Sequence, residues 1–226
     1  MQKRKLGRSG LEVAPLAFGG NVFGWTVDEK TSFKLLDAFA DAGFNFIDTA
    51  DSYSNWVPGN QGGESETIIG NWLKQHGGRD KMLIGTKLGS ELSPERKGLS
   101  RKYIQESVEG SLRRLQTDYI DLYQSHYFDS ETPQEETLAA YDQLIKAGKV
   151  RAIGASNFKP EQLTQALEIS EKNNLTRYES LQPEYNLYDR AGFEKETKYA
   201  KKEIRQIRIR SSTAGFRRQR IWLDSR

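Results

Sequence analysis

The sequence of 226 residues lacks cysteine and contains only two histidines, His76 and His126. Without cysteine the chain can form neither disulfide bridges nor a thiolate metal site, and two histidines argue against a multi-histidine metal site. No apolar run reaches the roughly 20 residues that a membrane-spanning helix needs. The basic N-terminus is also not followed by the apolar stretch of a signal peptide. We therefore expect a cytoplasmic protein without a metal or a membrane span.

An excess of positive charge is absent from most of the chain. Seven of the 34 Lys and Arg and two of the 31 Asp and Glu lie after residue 202, which leaves 27 bases and 29 acids before it. The net charge of +3 therefore comes from the C-terminal tail. An interpretation as a nucleic-acid-binding protein would rest on that tail alone, and we expect no such partner.

The tail itself differs in composition from the rest of the sequence. Its bases are all arginine, whereas lysine outnumbers arginine before residue 203. It can be interpreted as a solvated or disordered segment, as the product of a changed reading frame, or as an RNA-binding arm. The last rests on a short Arg-rich run, which is a weak motif. We expect two regions, residues 1–202 and a non-homologous tail over residues 203–226.

Short apolar runs alternate with longer stretches of helical periodicity. After a hairpin over residues 3–14, the patterns predict strands at 16–20, 46–48, 83–86, 120–123, 150–155 and 180–182. They predict helices at 28–42, 64–76, 100–115, 132–147 and 160–172, and a further polar helix near Gly192. Ser100 is the expected N-cap of the third helix. Thr132, Pro133 and Glu135 predict a capping box for the fourth.

Buried strands that alternate with helices indicate a parallel sheet covered by helices. An open dinucleotide-binding sheet would need the G-x-G-x-x-G turn after its first strand, which the segment 19–24 does not match. A TIM-type (β/α)8 barrel is therefore favoured, but only about six units can be counted and the tail offers no further strand. We expect an incomplete barrel preceded by a β-hairpin, with exposed strand edges.

Four polar side chains lie at or just past the ends of successive strands. The second strand ends in Asp48 with Tyr53 in the loop after it, the third ends in Lys87, and the fourth leads to His126. The C-terminal strand ends of a barrel converge on one face, so these residues should meet in one pocket. Together, these four residue types suit the transfer of a proton. One reaction that needs such a transfer is the reduction of a carbonyl by hydride, in which the carbonyl oxygen must receive a proton. Lys87 could lower the pKa of the Tyr53 phenol, Asp48 could hold Lys87, and His126 could orient the carbonyl.

The same region resembles a known family through several motifs in the right order. They are Gly43-Phe44-Asn45-Phe46-Ile47-Asp48-Thr49-Ala50-Asp51-Ser52-Tyr53, Leu115-Gln116-Thr117-Asp118-Tyr119-Ile120-Asp121-Leu122, and Gly148 to Phe158. Together they resemble the aldo-keto reductases over residues 4–199. The opening Leu6 to Val13 is similar to the bacterial and potassium-channel-β-subunit-like branch.

The resemblance implies that Asp48, Tyr53, Lys87 and His126 form a catalytic tetrad with Tyr53 as the acid. It implies that Ser156, Asn157 and Gln182 bind the nicotinamide carboxamide, that the cofactor is NADPH, and that the substrate is a small-molecule aldehyde or ketone. The sequence matching the family stops near residue 200, so the resemblance also implies a C-terminally truncated or frame-shifted chain that lacks much of the cofactor site.

Residues whose types suit a pocket flank these positions. Trp25, Trp56 and Tyr127 lie in loops at the active face and are interpreted as a substrate pocket, with a nonspecific hydrophobic rim as the alternative. Ser156 and Asn157 could also cap the next helix.

Three functional hypotheses follow. The first is an NADPH-dependent carbonyl reductase, the second a non-catalytic nicotinamide-sensing regulatory subunit, and the third an inactive truncated reductase. The tetrad does not separate the first two.

Overall fold

The computed structural model describes residues 2–184, 191, 205–212 and 218–223. Its helices are α1 (Glu29–Asp41), α2 (Glu64–His76), α3 (Arg101–Leu115), α4 (Gln134–Lys146) and α5 (Pro160–Lys172). Its strands are β1 (Arg4–Lys5), β2 (Glu12–Val13), β3 (Leu16–Gly19), β4 (Phe46–Asp48), β5 (Leu83–Leu88), β6 (Ile120–Ser125), β7 (Val150–Ser156), β8 (Tyr178–Gln182), β9 (Arg205–Ser212) and β10 (Arg218–Leu223). For β9 and β10 only the backbone is described.

The six strands β3 to β8 pair in parallel and in chain order. Helices α1 to α5 connect them and supply the apolar layer around the sheet. Strands β5 and β6 are buried at every position, as expected for strands covered on both faces. The six parallel strands and five connecting helices of the described residues are fewer than the eight units of a complete (β/α)8 barrel, so the predicted incomplete set of β/α units is confirmed.

The tail contributes two strands that the sequence analysis did not expect. Strand β9 pairs in parallel with β8, and β10 pairs antiparallel with both β9 and β3, which closes an eight-stranded barrel. The prediction of a strandless tail and open edges was therefore wrong. The edges of β3 and β8 carry backbone groups that an extended segment can pair with, and the alternating sequence Ile207-Arg208-Ile209-Arg210 suits a strand. The proposed division at residue 202 stays a prediction.

The β1–β2 hairpin covers the N-terminal ends of the barrel strands. Its apolar residues Leu6, Leu11 and Val13 are buried against a cluster contributed by five strands, namely Ala17, Phe46, Leu83, Leu122 and Ala152. The backbone N–H of Arg8 donates to Glu179 in β8 at 2.6 Å. The N-terminal end is therefore packed shut, and the C-terminal strand ends are the open face.

Helix boundaries follow the predicted periodicity closely, with one exception in capping. Ser100 caps α3 as predicted, accepting a hydrogen bond from the N–H of Tyr103 at 3.3 Å. The capping box predicted at Thr132 is not formed, because α4 begins after Pro133 without a side-chain cap. The Thr132 hydroxyl instead bonds the Asp129 carboxylate.

Two expectations remain, a further helix near Gly192 and the absence of a membrane-spanning helix. The polar helix predicted near Gly192 lies outside the described residues. Within the part of the chain that the structure covers, no helix combines the length and apolar character needed to cross a membrane.

Candidate active site

The side chain of Lys87 is the centre of the site. It is 1% exposed, and its ammonium donates three hydrogen bonds, to Asp48 Oδ2 at 2.7 Å, to the Thr49 carbonyl at 2.8 Å and to the Tyr53 hydroxyl at 3.0 Å. These partners use all three N–H groups of a lysine. The convergence predicted from the strand ends is therefore present for Asp48, Tyr53 and Lys87.

Asp48 is held from a second side by two amides. Gln124 donates to its Oδ1 at 3.3 Å and Gln182 donates to its Oδ2 at 3.2 Å, and Gln124 also donates to Gln182 Oε1 at 3.0 Å. All three side chains are fully buried. The carboxylate that faces Lys87 is therefore fixed by residues of β6 and β8.

The electrostatics favour a charged lysine and a neutral tyrosine. Burial lowers the pKa of Lys87, but the Asp48 carboxylate and Tyr53 outweigh it, so the pKa lies above the usual value. Burial raises the pKa of Tyr53, and the Lys87 ammonium offsets that rise only in part. The expectation that Lys87 would bring this pKa below its ordinary value is therefore wrong for the site as described, although the effect of Lys87 has the expected direction.

His126 lies beside Tyr53, directly after β6. The Tyr53 and His126 ring centroids are 6.0 Å apart in an edge-on arrangement, and the Tyr127 ring stacks on the imidazole with centroids 4.9 Å apart. Burial, followed by the nearby Lys87 ammonium, lowers the pKa of His126 to about 3. The imidazole is therefore neutral across the physiological range, with one N–H and one bare nitrogen.

The residues expected to bind nicotinamide lie together at the ends of β7 and β8, but only one is accessible. Asn157 is exposed and adopts a left-handed backbone conformation with φ of 57°. Its amide donates to the His126 carbonyl at 3.0 Å. Ser156 and Gln182 are buried, and the Ser156 hydroxyl donates to the Gln182 carbonyl at 2.8 Å.

The alternative role of Ser156 and Asn157 as helix caps is not observed. The N-cap of α5 is Lys159, whose backbone N–H donates to the side chain of Gln162 at 2.8 Å.

The three aromatic residues assigned to a pocket surround the tetrad and are half exposed. Trp25, Trp56 and Tyr127 have exposed fractions of 45%, 49% and 51%. Trp56 lies edge-on to both Tyr53, at 6.4 Å, and Trp25, at 5.7 Å. Together with Tyr127 they give the open face an apolar border next to the Tyr53 hydroxyl.

Sequence reasoning missed several polar residues of the site. Ser90 Oγ lies 2.9 Å from His126 Nδ1, and Gln124 contacts Asp48. Asp51 is 3% exposed, and its Oδ1 has no hydrogen-bond partner among the described residues. Burial, and then the neighbouring Glu66, raises the pKa of Asp51 to about 8. Gln124 directly follows the strand predicted at 120–123, whose alternation could have placed its side chain inside the barrel. Nothing in the sequence around Ser90 or Asp51 indicates a role in the site.

Comparison with known proteins agrees with this geometry. The model of the Aldo/keto reductase family matches residues 15–222. The chain is 40% identical over 197 residues to the "Uncharacterized oxidoreductase YrpG" of Bacillus subtilis (strain 168), covering 84% of this chain and 60% of that protein. It is 38% identical over 208 residues to the "Aldo-keto reductase YhdN" of the same organism, covering 89% of this chain and 59% of that protein.

A plant protein is also similar. The chain is 40% identical over 200 residues to the "Probable voltage-gated potassium channel subunit beta" of Oryza sativa subsp. japonica, covering 87% of this chain and 58% of that protein. The chain thus spans about three fifths of the length of these relatives. On the family match over most of its residues, the chain belongs to the aldo/keto reductase family.

Proposed function

We propose that the chain is an oxidoreductase that reduces an aldehyde or ketone to an alcohol with hydride from NADPH, with Tyr53 as the proton donor. The observation that carries this proposal is the Lys87 ammonium, which contacts both the Tyr53 hydroxyl and the Asp48 carboxylate. Family membership supports the reaction class, and the arrangement of charges supports the role of each side chain.

The proton step uses the difference between Tyr53 and its conjugate base. Tyr53 holds its proton before the reaction, since its pKa lies above the ordinary value. Hydride addition to the carbonyl carbon turns the oxygen into an alkoxide, a far stronger base than a phenolate, and the proton moves to it from Tyr53. The phenolate left behind lies 3.0 Å from a full positive charge on Lys87. That charge lowers the energy of the transition state in which the phenolate develops.

Asp48 and His126 prepare this step. The Asp48 carboxylate keeps Lys87 protonated and fixes its position. The neutral imidazole of His126 donates its N–H to the substrate oxygen and orients the carbonyl beside Tyr53. The apolar border formed by Trp25, Trp56 and Tyr127 suits a flat or aromatic carbonyl compound.

The residues at the ends of β7 and β8 fit the nicotinamide group in part. NADPH, when bound, supplies the hydride. Asn157 is exposed. Its amide hydrogens are donated to the His126 carbonyl and the Ser156 hydroxyl, so its Oδ1 is the atom that can accept a hydrogen bond from the nicotinamide carboxamide. Ser156 and Gln182 present almost no surface, so we assign them to positioning, Ser156 next to Asn157 and Gln182 behind Asp48.

The test is the oxidation of NADPH, followed by its absorbance, in the presence of a reactive aromatic aldehyde. Tyr53→Phe removes the proton donor and should lower kcat by about 10²- to 10⁴-fold. Tyr119→Phe is the matched control, because Tyr119 precedes β6 at the opposite end of the barrel and packs against Arg79. Turnover in the wild type that survives in Tyr53→Phe would exclude Tyr53 as the donor, and a folded wild type without turnover would contradict the reductase proposal.

A second candidate is a regulatory subunit that senses nicotinamide without turning over substrate. It is favoured by the similarity to the rice protein named as a probable channel β subunit. The tetrad is compatible with both candidates. Co-purification with a membrane protein, together with binding of NADPH in the absence of turnover, would support this candidate over the first.

A further inference from the structure

The loop after β5 holds Ser90 in a fixed position beside His126. Gly89 has φ of +99°, and a Cβ atom there would lie 2.9 Å from a methyl group of Leu99, so only glycine suits this turn. The N–H of Gly98 donates to the Gly89 carbonyl at 3.3 Å. The N–H of Leu99 donates to Asp129, in the loop after β6, at 2.8 Å. The loops that carry Ser90 and His126 are therefore tied together.

The backbone of His126 is fixed on both sides. Its N–H donates to the Leu88 carbonyl at 2.8 Å, and its carbonyl accepts from the Asn157 amide at 3.0 Å. Tyr53 and Tyr127 fix the plane of the imidazole. Ring contacts do not distinguish the two nitrogens, however. Among the described residues, the polar contact of the ring is the 2.9 Å pair between Nδ1 and Ser90 Oγ.

The position of the single proton on a neutral imidazole decides what the ring can do. If Nδ1 carries the proton, Nε2 is an acceptor and would repel the lone pairs of a carbonyl oxygen. If Nδ1 accepts a hydrogen bond, Nε2 carries the proton and can donate to that oxygen. The pKa of His126, lowered to about 3, removes the doubly protonated form from consideration at neutral pH.

We infer that Ser90 is a positioning residue that donates its hydroxyl hydrogen to His126 Nδ1 and thereby holds the imidazole in the Nε2–H tautomer. This inference names how the donor of the proposed reductase is set, and its catalytic consequence rests on that proposed function. The tautomer itself does not, and can be measured without any substrate.

The presence of only two histidines makes this measurement clean. In protein labelled with ¹⁵N-histidine, long-range ¹H–¹⁵N correlation spectra distinguish the two tautomers by the chemical shifts of the ring nitrogens. We expect His126 to show the Nε2–H form over pH 6 to 8. His76, which stacks on Trp72 and lies 3.3 Å from Asp37, serves as the internal control.

Ser90→Ala removes the hydroxyl, and Ser90→Thr restores it in a bulkier side chain. We expect Ser90→Ala to shift the His126 ring nitrogens toward a mixture of tautomers, with the His76 signals unchanged, and Ser90→Thr to return the shifts toward those of the wild type. In the reductase assay, Ser90→Ala should lower kcat by about 10-fold with a smaller change in KM, below the 10²- to 10³-fold loss typical of deleting a donor outright.

The outcomes distinguish the assignment of Ser90 to the His126 tautomer from the proposed reductase activity. A wild-type His126 with its proton on Nδ1, or a tautomer that Ser90→Ala leaves unchanged, would overturn the assignment of Ser90. A shift of tautomer in Ser90→Ala, reversed in Ser90→Thr, would establish the assignment even if the wild type shows no turnover. In that case the reductase proposal alone would fail.

Discussion

The two ends of the barrel bury aspartates in different ways. At the N-terminal end, Asp121 accepts hydrogen bonds from Arg79 at 2.8 Å, from Arg151 at 2.7 Å and from the N–H of Ile84 at 2.9 Å. At the C-terminal end, Asp48 faces the single charge of Lys87, while nearby Asp51 makes no ion pair among the described residues. One end pairs its carboxylate with two arginines, whereas the other holds Asp48 against a single lysine and Asp51 as a neutral carboxyl, since burial raises the pKa of Asp51 to about 8.

The N-terminal end of the barrel is built for stability, whereas the C-terminal end holds the residues that we propose for chemistry. The N-terminal end is packed by the β1–β2 hairpin and carries no exposed member of the tetrad. The C-terminal end contains buried polar atoms without partners among the described residues, including Gln124 Oε1, Tyr123 OH and Ser180 Oγ. Buried polar atoms without partners cost free energy of folding, and a catalytic role is one reason for a protein to retain them.

We expect a substitution to change the protein most at the C-terminal end, on replacement of Lys87. Lys87→Met removes the charge that stabilises the Tyr53 phenolate, so kcat should fall by about 10³-fold or more. It also leaves the Asp48 carboxylate buried without a cation, which should lower the free energy of unfolding by about 3–5 kcal/mol. Urea denaturation and the NADPH assay measure the two effects.

A double variant separates the two contributions of Lys87. Lys87→Met with Asp48→Asn removes both charges, so the stability should recover in large part while the activity stays lost. Recovery of activity in the double variant would show that the charge pair is structural only.

At the N-terminal end the effect should fall on stability alone. Asp121→Ala leaves Arg79 without its carboxylate partner and should lower the free energy of unfolding by about 3 kcal/mol, whereas Arg151→Ala, at a half-exposed side chain, should cost less than about 1 kcal/mol. The kcat of both variants, measured well below the unfolding temperature, should equal that of the wild type. A fall in kcat would mean that the two ends are coupled.

The last prediction concerns the dependence of stability on pH, through Asp51. Burial raises the pKa of Asp51 from 3.8 in the unfolded chain to about 8 in the folded protein. The folded state therefore binds a proton that the unfolded state has lost, so stability is full below pH 4 and decreases as pH rises toward 8, by at most about 1.4 kcal/mol per pH unit. The charged and titratable groups coupled to Asp51 are Glu66, Arg114, Arg96, Lys87, Tyr103 and Tyr123.

Asp51→Asn mimics the neutral carboxyl and should flatten this slope. Urea midpoints at pH 5.5 and 7.5 are measured for the wild type, for Asp51→Asn and for the control variant Asp129→Asn. In the wild type, Asp129 is a carboxylate whose hydrogen bonds to Leu99 and Thr132 hold its pKa below the usual value. Equal slopes in wild type and Asp51→Asn would show that Asp51 is ionised in the folded state.

The predictable part of the site follows from chain order. Asp48 and Lys87 lie at the ends of buried strands and His126 directly follows one, and parallel strands bring their ends together whatever their side chains contact. The approach of Lys87 to Asp48 and Tyr53 was therefore within reach of the sequence, and so were the six parallel strands. The capping box at Thr132 was not, because its hydroxyl is taken by Asp129, a partner that only the folded loop supplies.

The unpredictable part depends on contacts between distant loops. Ser90 meets His126 across 36 positions of sequence, and Asp51 is raised in pKa by the burial that surrounding elements impose. The net pKa of Tyr53 was misjudged for the same reason, since the sequence shows the charge of Lys87 but not the loss of water around the phenol. The backbone pairing of β9 and β10 likewise depends on edges that exist only after β3 to β8 have assembled.

The complete hydrogen bonding of Lys87 has a consequence for chemical selectivity. An amine condenses with an aldehyde only through a free lone pair, and a lysine that is charged, 1% exposed and donating all three hydrogens has none to offer. A carbonyl compound can therefore rest beside this lysine without being captured as an imine. The same contacts that supply positive charge to Tyr53 protect a reactive aldehyde from the nearest nucleophile.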